Sequence, residues 1–213
     1  MPGFTHVITR GYRDSAGSTV SSTESISADS ERNFDASVAP STTRQEIDLA
    51  LTRANLKSMW FYATFALELL AQAAATTAVE GTTNTNAVDA QINITSHGYS
   101  VGQRIHILGI TGSTNLNGFY YVKTVVDADH FKISLTSGGS AVQGNGAAYV
   151  SGGTVQKLDT ISLAAGQSLV WNLSIDGLSA LPFTANTDAF YVTNASGTDT
   201  AVLKIRALAD QTP

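Results

Sequence analysis

The sequence predicts an all-β protein of short antiparallel strands, arranged as a sandwich or a barrel. Three observations carry this. Apolar and polar residues alternate in run after run, which is the pattern of a strand with one buried face. Turn-forming clusters separate those runs at short intervals. The composition supplies polar strand faces and turns from hydroxyls and glycine: 48 of the 213 residues are Ser or Thr and 18 are Gly, while only 14% are charged, against about a quarter in an ordinary globular domain.

Taken in order, residues 46–52 place Ile47, Leu49 and Leu51 on one strand face. The stretch 56–72 is apolar throughout, and periodicity alone does not settle it. It reads as two strands joined near Ala63-Thr64, the second turning Leu67 and Leu69 inward; a helix over about 65–75 is the alternative, because its second half is made of good helix formers. Residues 73–90 are almost wholly Ala, Thr, Asn and Gly, either a linker or the entry to a second unit. Phe131, Ile133 and Leu135 form one inward row, and residues 201–206 repeat the alternation. Leu169, Trp171, Leu173 and Ile175 form another row over 168–175. Turn clusters fall at 14–18, 111–115, 137–140, 144–146, 151–153 and 195–198.

Composition also excludes functions. With 12 Lys and Arg against 17 Asp and Glu, the net charge is −5. Such a chain is a poor candidate for nucleic acid, which calls for a basic stripe. No apolar run approaches the ~18 residues of a membrane span. The absence of cysteine removes disulfides, thiolate metal sites and cysteine nucleophiles together. Residues 1–6 lack a basic start and an apolar core, so synthesis in a cytoplasm without export is expected. The N-x-S/T triplets at Asn93, Asn172 and Asn194 then read as chance matches.

The central block carries Ser96-His97-Gly98, Gly102, Ile105, Ile107, Gly109 and Gly112, then Leu116-Asn117-Gly118, Tyr120 and Val122, then Phe131 and Ile133, and closes at 151–155. Gly98 and Gly102 let the chain turn into the strand that follows. Asn117-Gly118 is a pair that favours tight hairpins. This block resembles the small β-barrel module of many phage head and tail proteins, similar to the first catalytic cysteine half-domain of ubiquitin-activating enzymes. No ubiquitin chemistry carries over to a chain without cysteine. The flanks, at 4–12, 21–27, 31–38, 46–51 and 56–60 and again at 159–171, 190–194 and 201–206, resemble a small phage virion protein of the head type. The resemblance implies a split, jelly-roll-like host sandwich over 1–75 and 157–213, with the barrel inserted over 76–156.

Candidate chemistry is sparse. His97, His106 and His130 fall near Asp127 and Asp129, and His6 lies apart. Alternation puts His106 opposite the apolar row of Ile105 and Ile107, while His97 belongs to a turn and His130 flanks a strand, so no metal site is expected. Asp127-Ala128-Asp129 reads as a hairpin turn, because the remaining positions of a calcium loop are missing. Glu24, Asp35, Glu46 and Asp48 offer carboxylates but no arrangement that suggests glycoside hydrolysis. No nucleophile elbow or phosphate-binding glycine motif occurs. Neither an enzyme nor a cofactor is expected.

The aromatic residues are more informative. Trp60, Phe61, Tyr62 and Phe65 cluster in one stretch, and the four consecutive large residues Met59 to Tyr62 cannot all face one core from a single strand. Trp60 and Tyr62 on one face and Phe61 on the other all need cover, which a subunit interface, the chain itself or a glycan would provide. A second cluster, Phe119, Tyr120 and Tyr121, lies beside the Asn-Gly pair. Together with the phage-type resemblance, these features lead to the expectation of a capsid-surface virion protein bound to the major capsid protein as a homotrimer, with no nucleic acid or membrane partner. A tail or baseplate adhesion or carbohydrate-binding module is the alternative.

Overall fold

Alternation along the chain translates into strands with few exceptions. The computed structural model describes residues 3–13 and 19–210, and among them fifteen strands follow in order: β1 (Phe4–Arg13), β2 (Thr19–Ala28), β3 (Ser30–Val38), β4 (Gln45–Ile47), β5 (Leu56–Ala63), β6 (Leu67–Ala78), β7 (Gly81–Thr83), β8 (Gln91–Asn93), β9 (Arg104–Leu108), β10 (Gly118–Val125), β11 (His130–Ser134), β12 (Thr154–Leu163), β13 (Ser168–Asn172), β14 (Thr187–Thr193) and β15 (Ala201–Ala209). One helical turn, α1 (Leu173–Asp176), follows β13. The protein is all-β, with antiparallel sheets. The turn expected at 14–18 lies outside the described residues.

The stretch 56–72 forms β5 and the start of β6, and no helix occupies 65–75. Leu69 to Ala73 are buried without interruption, so this strand shows no period in its sequence. Residues 73–78, where composition allowed a linker, continue β6. Three local expectations are corrected. The strand expected over 46–52 ends at Ile47, and beyond it only an isolated bridge at the buried Leu51 continues the pairing. The row over 168–175 breaks at Asn172, whose Oδ1 accepts the Ser174 N–H at 2.9 Å while Asp176 accepts the Asn172 N–H at 2.8 Å. This N-cap turns the chain into α1 and leaves Ile175 exposed. Leu135 lies beyond the end of β11, 67% exposed, so it does not join Phe131 and Ile133 in the core.

The chain divides into two compact units. The first takes Met1–Leu69, Thr160–Asn186 and Phe190–Pro213; the second takes Leu70–Asp159 and Thr187–Ala189. In the first, strands β13-β5-β15-β3 form a four-stranded sheet. Its inner face carries Leu169, Phe61, Ile205 and Phe34 in one register row. Phe61 meets Phe190 of β14 edge-on, with centroids 6.2 Å apart, and Phe190 meets Phe183 in the same manner at 6.1 Å. Phe190 in turn pairs with Ile47 of β4, so these aromatics join two layers into a sandwich core. Strands β1 and β2 make a separate two-stranded ribbon.

In the second unit the strand order β12-β9-β10-β11-β8-β7 wraps a core that includes Ile92, Ile105, Ile107, Val122, Phe131 and Ile133. Gly98 and Gly102 have φ of 60° and 85°, as the turn into β9 requires. The Gly102 N–H then bonds the Val122 carbonyl at 2.8 Å. Asn117-Gly118 does not make a tight hairpin. Residues 109–117 form a longer connection, and Asn117 is extended with φ −74° and ψ 132°. The Asn117 side chain bonds both the N–H and the carbonyl of Ile110 at 2.9 Å, strapping the connection shut. Of the Asn117-Gly118 pair, Gly118 takes the positive φ, 146°.

Candidate functional site

The outer face of the four-stranded sheet gathers the most unusual surface of the first unit. Its register sets Val170, Trp60, Arg206 and Asn33 in one row, and Ser168, Tyr62, Lys204 and Asp35 in the next. Two residues apart on one strand face, the Trp60 and Tyr62 rings lie parallel, 5° between planes and 5.8 Å between centroids. Both are half-buried, and Val170 beside Trp60 is exposed. Arg206 grips Asp35 with two bonds, Nη1 to Oδ1 at 2.6 Å and Nη2 to Oδ2 at 2.9 Å, and donates to the Phe34 carbonyl at 3.0 Å. The hydrogen-bonded Arg206 guanidinium holds the Asp35 carboxyl below its usual value, and Asp35 raises Arg206.

A third row sets Asn172, Ser58, Leu208 and Glu31 side by side, and the ribbon is fastened here. His6 of β1 reaches Ser58 Oγ through Nδ1 at 2.9 Å and Glu31 Oε1 through Nε2 at 3.0 Å. Glu31 must accept, so Nε2 carries the proton, and a neutral ring accepts the Ser58 hydroxyl at Nδ1. Glu24 of β2 accepts from Asn172 Nδ2 at 2.5 Å and from Ser174 Oγ. Ser, His and Glu in line resemble a nucleophile with its base. Ser58 is completely buried, and here its hydroxyl bonds the His6 ring of the ribbon. The array is a clip that holds the ribbon to the sheet. Between ribbon and sheet runs a groove of about 410 Å³, lined by His6, Ile8, Ser58, Trp60, Val170 and Arg206 among others.

The four aromatic candidates therefore divide. Trp60 and Tyr62 face this outer surface. Phe65, on the connection after β5, is 40% exposed. Phe61 is fully buried against Phe190, so the chain itself covers that side of β5. His6 and Asp35 stood out in the sequence only as residue types and Arg206, Ser58 and Glu31 not at all, because the clip joins positions 6, 31 and 58 and the ion pair positions 35 and 206, and no local pattern connects them.

In the second unit the candidate residues hold loops. His97 accepts the Tyr99 N–H at Nδ1 (2.9 Å), so Nε2 donates to the Asp127 carbonyl at 3.2 Å. Its ring packs against Tyr99 and Phe131. Asp127 accepts the Asp129 N–H at 2.8 Å and the His130 ring at 2.8 Å. Those two bonds, the backbone one first, hold its carboxyl below the usual value. The segment is a side-chain-closed turn. His106 does lie opposite Ile105 and Ile107, but that face is covered too. It stacks on Phe119 at 3.8 Å and bonds Gln72 Oε1 at 2.7 Å, and Gln72 and Gln156 both donate to Asp188. In the second aromatic cluster, Tyr120 donates to the Asn115 carbonyl at 3.1 Å and Tyr121 lies 5.0 Å under the Arg104 guanidinium.

Among the described residues no group of three or more His, Cys, Asp or Glu is placed to hold a metal ion, and no helix is long and apolar enough to cross a membrane. No family model and no curated protein matches the chain.

Proposed function

We propose that the chain is a structural protein of a tailed-phage virion that decorates the capsid by non-covalent binding to the major capsid protein, acting at the capsid surface as a homotrimer with a jelly-roll-like host sandwich. The observation that carries the reading is the outer sheet face of the first unit. Trp60, Tyr62 and Val170 form an apolar centre, and Arg206, Lys204 and Asp35 form a polar edge in register beside it. An aromatic centre with a charged rim has the composition of a protein interface. The phage-type motifs of the central block and flanks support the same reading. Many copies on a symmetric shell would turn weak contacts into firm attachment.

Imaging purified particles tests this. Density for the chain on the head is expected, and its absence from the head overturns the reading. Trp60→Ala should weaken attachment about 30-fold or more, the loss typical of a central aromatic anchor, with the fold retained. The parallel rings of Trp60 and Tyr62 also favour a second reading, a tail-associated carbohydrate-binding module. Glycan-array binding that disappears in Trp60→Ala, with no head density, would select it.

A further inference from the structure

We propose that the β1–β2 ribbon is a releasable lid. Closed in this structure over one end of the outer sheet face, it opens about its joint with β3 while the sheet stays folded. The cover comes first. Asn172, Ser58 and Leu208 lie on the same face as Val170, Trp60 and Arg206, two residues further along each strand. Val170 is exposed, yet Asn172, Ser58 and Leu208 are completely buried. The ribbon lies over them. Strand β2 packs on β5 and both ribbon strands pack on β15, with His6 bound to Ser58 and Glu24 to Asn172. Only Asp29, at a bend, separates β2 from β3.

The way the lid is held makes it separable. Among the described residues its strands pair only with each other, so no backbone ladder ties them to the sheet. Side chains fasten it instead, His6 to Ser58 and Glu31, and Glu24 to Asn172 and Ser174. Each of these bonds exchanges for one with water on opening, so its net contribution is small. Ile8 and Ile26, the apolar residues turned toward the sheet, are only half-buried. Of the described ribbon side chains only Ala28, beside the joint, is buried. A two-stranded sheet with so little apolar burial belongs to the part of a fold that opens first.

The face beneath suits both states. On the opposite side of the sheet Phe61, Leu203 and Ile205 are fully buried and apolar, and exposing them is costly. Under the lid, Ser58 and Asn172 offer a hydroxyl and an amide that water satisfies in place of His6 and Glu24. Contacts of this polar kind are typical of surfaces that move against each other. Opening adds Leu208 to the apolar patch of Trp60 and Val170 and widens the groove beside them. As a control on docking, the lid rests on the reading of that patch as an interface; the opening itself does not.

The test follows thiol labelling of the full chain in free solution. The sequence has no cysteine, so one introduced thiol reports on its own position. Ala207 and Leu208 are neighbours on β15, both completely buried, one on the inner face and one under the lid. Well below the unfolding midpoint, Ser58→Cys and Leu208→Cys should label about 100-fold or more faster than Ala207→Cys, each rate being corrected for its variant's own stability. Urea should raise the two lid rates weakly, because opening exposes little surface, and the Ala207→Cys rate steeply. Adding Glu24→Ala should speed labelling at the lid positions about tenfold and leave Ala207→Cys unchanged. Equal rates at the three positions overturn the proposal, as do lid rates that climb with urea as steeply as that of Ala207→Cys. So does a lid rate indifferent to Glu24→Ala. Fast lid labelling without head density removes the capsid reading and leaves the lid, and head density with uniformly slow labelling does the reverse.

Discussion

Asn84 in the second unit and Thr9 on the ribbon of the first are both uncharged polar residues in a chain unusually rich in them, yet their surroundings are opposite. Asn84 is 6% exposed. Its Nδ2 faces three acceptors, Asn115 Oδ1 at 2.9 Å, Asn145 Oδ1 at 2.8 Å and the Ala147 carbonyl at 2.9 Å, while its Oδ1 accepts the Asn145 N–H at 3.2 Å. One amide therefore ties together two loops far apart in sequence. Thr9 bonds across to Thr23, and both residues are exposed. The difference shows how one composition serves two ends. A buried amide fixes loops because leaving any partner unmet costs about 1–3 kcal/mol. An exposed hydroxyl exchanges freely with water and contributes little to stability, but keeps a β-surface flat and neutral.

The comparison can be broken first at the core of the second unit. Phe131 is fully buried and packs edge-on against His97 and Tyr99. Phe131→Ala should cost about 3–5 kcal/mol, read as a fall in the denaturant midpoint, and a loss below 1 kcal/mol would show that His97 and its turn do not depend on that core. Next comes the pair that defines the contrast. Asn84→Ala should cost about 1–3 kcal/mol and speed amide exchange at Asn145, whereas Thr9→Ala should stay within about 0.5 kcal/mol. Equal effects would erase the distinction.

Acid should produce the smallest change, and in both units. Asp35 is held down by Arg206, Asp89 by Lys132 and then Gln143, and Asp127 by the Asp129 N–H and then His130. A carboxyl whose folded pKa is depressed adds stability above its unfolded value and loses it as pH falls through the folded one. Wild type should therefore lose stability relative to Asp127→Asn as pH drops below about 4, with no such trend between pH 5 and 8. A difference constant down to the acid limit would contradict the assignment.

Much of the fold is legible in the sequence because a half-buried strand writes its geometry as a period of two. Strand β15, with Leu203, Ile205 and Ala207 inward, and strand β11, with Phe131 and Ile133 inward, follow directly from that rule. Local signals that compete with the period are harder to weigh. At Asn172 a capping side chain overrides alternation and begins α1. At Asn117 the amide straps Ile110 instead of opening a hairpin, since its partner lies seven residues back and no dipeptide rule includes it. The aromatic candidates were half legible. Alternation separates Trp60 and Tyr62 from Phe61, but only the packing of Phe190 decides which side the chain covers.

By itself, then, the amino-acid order determined the all-β class, the division of Trp60 and Tyr62 from Phe61, and the glycine turn at 98–102, because each is set by neighbours along the chain. Tertiary structure alone decided that His6 meets Ser58 and Glu31, that Arg206 grips Asp35, and that Asn84 gathers its loops. Those contacts join positions tens of residues apart, and their partners are selected by strand register and burial, which no local period encodes.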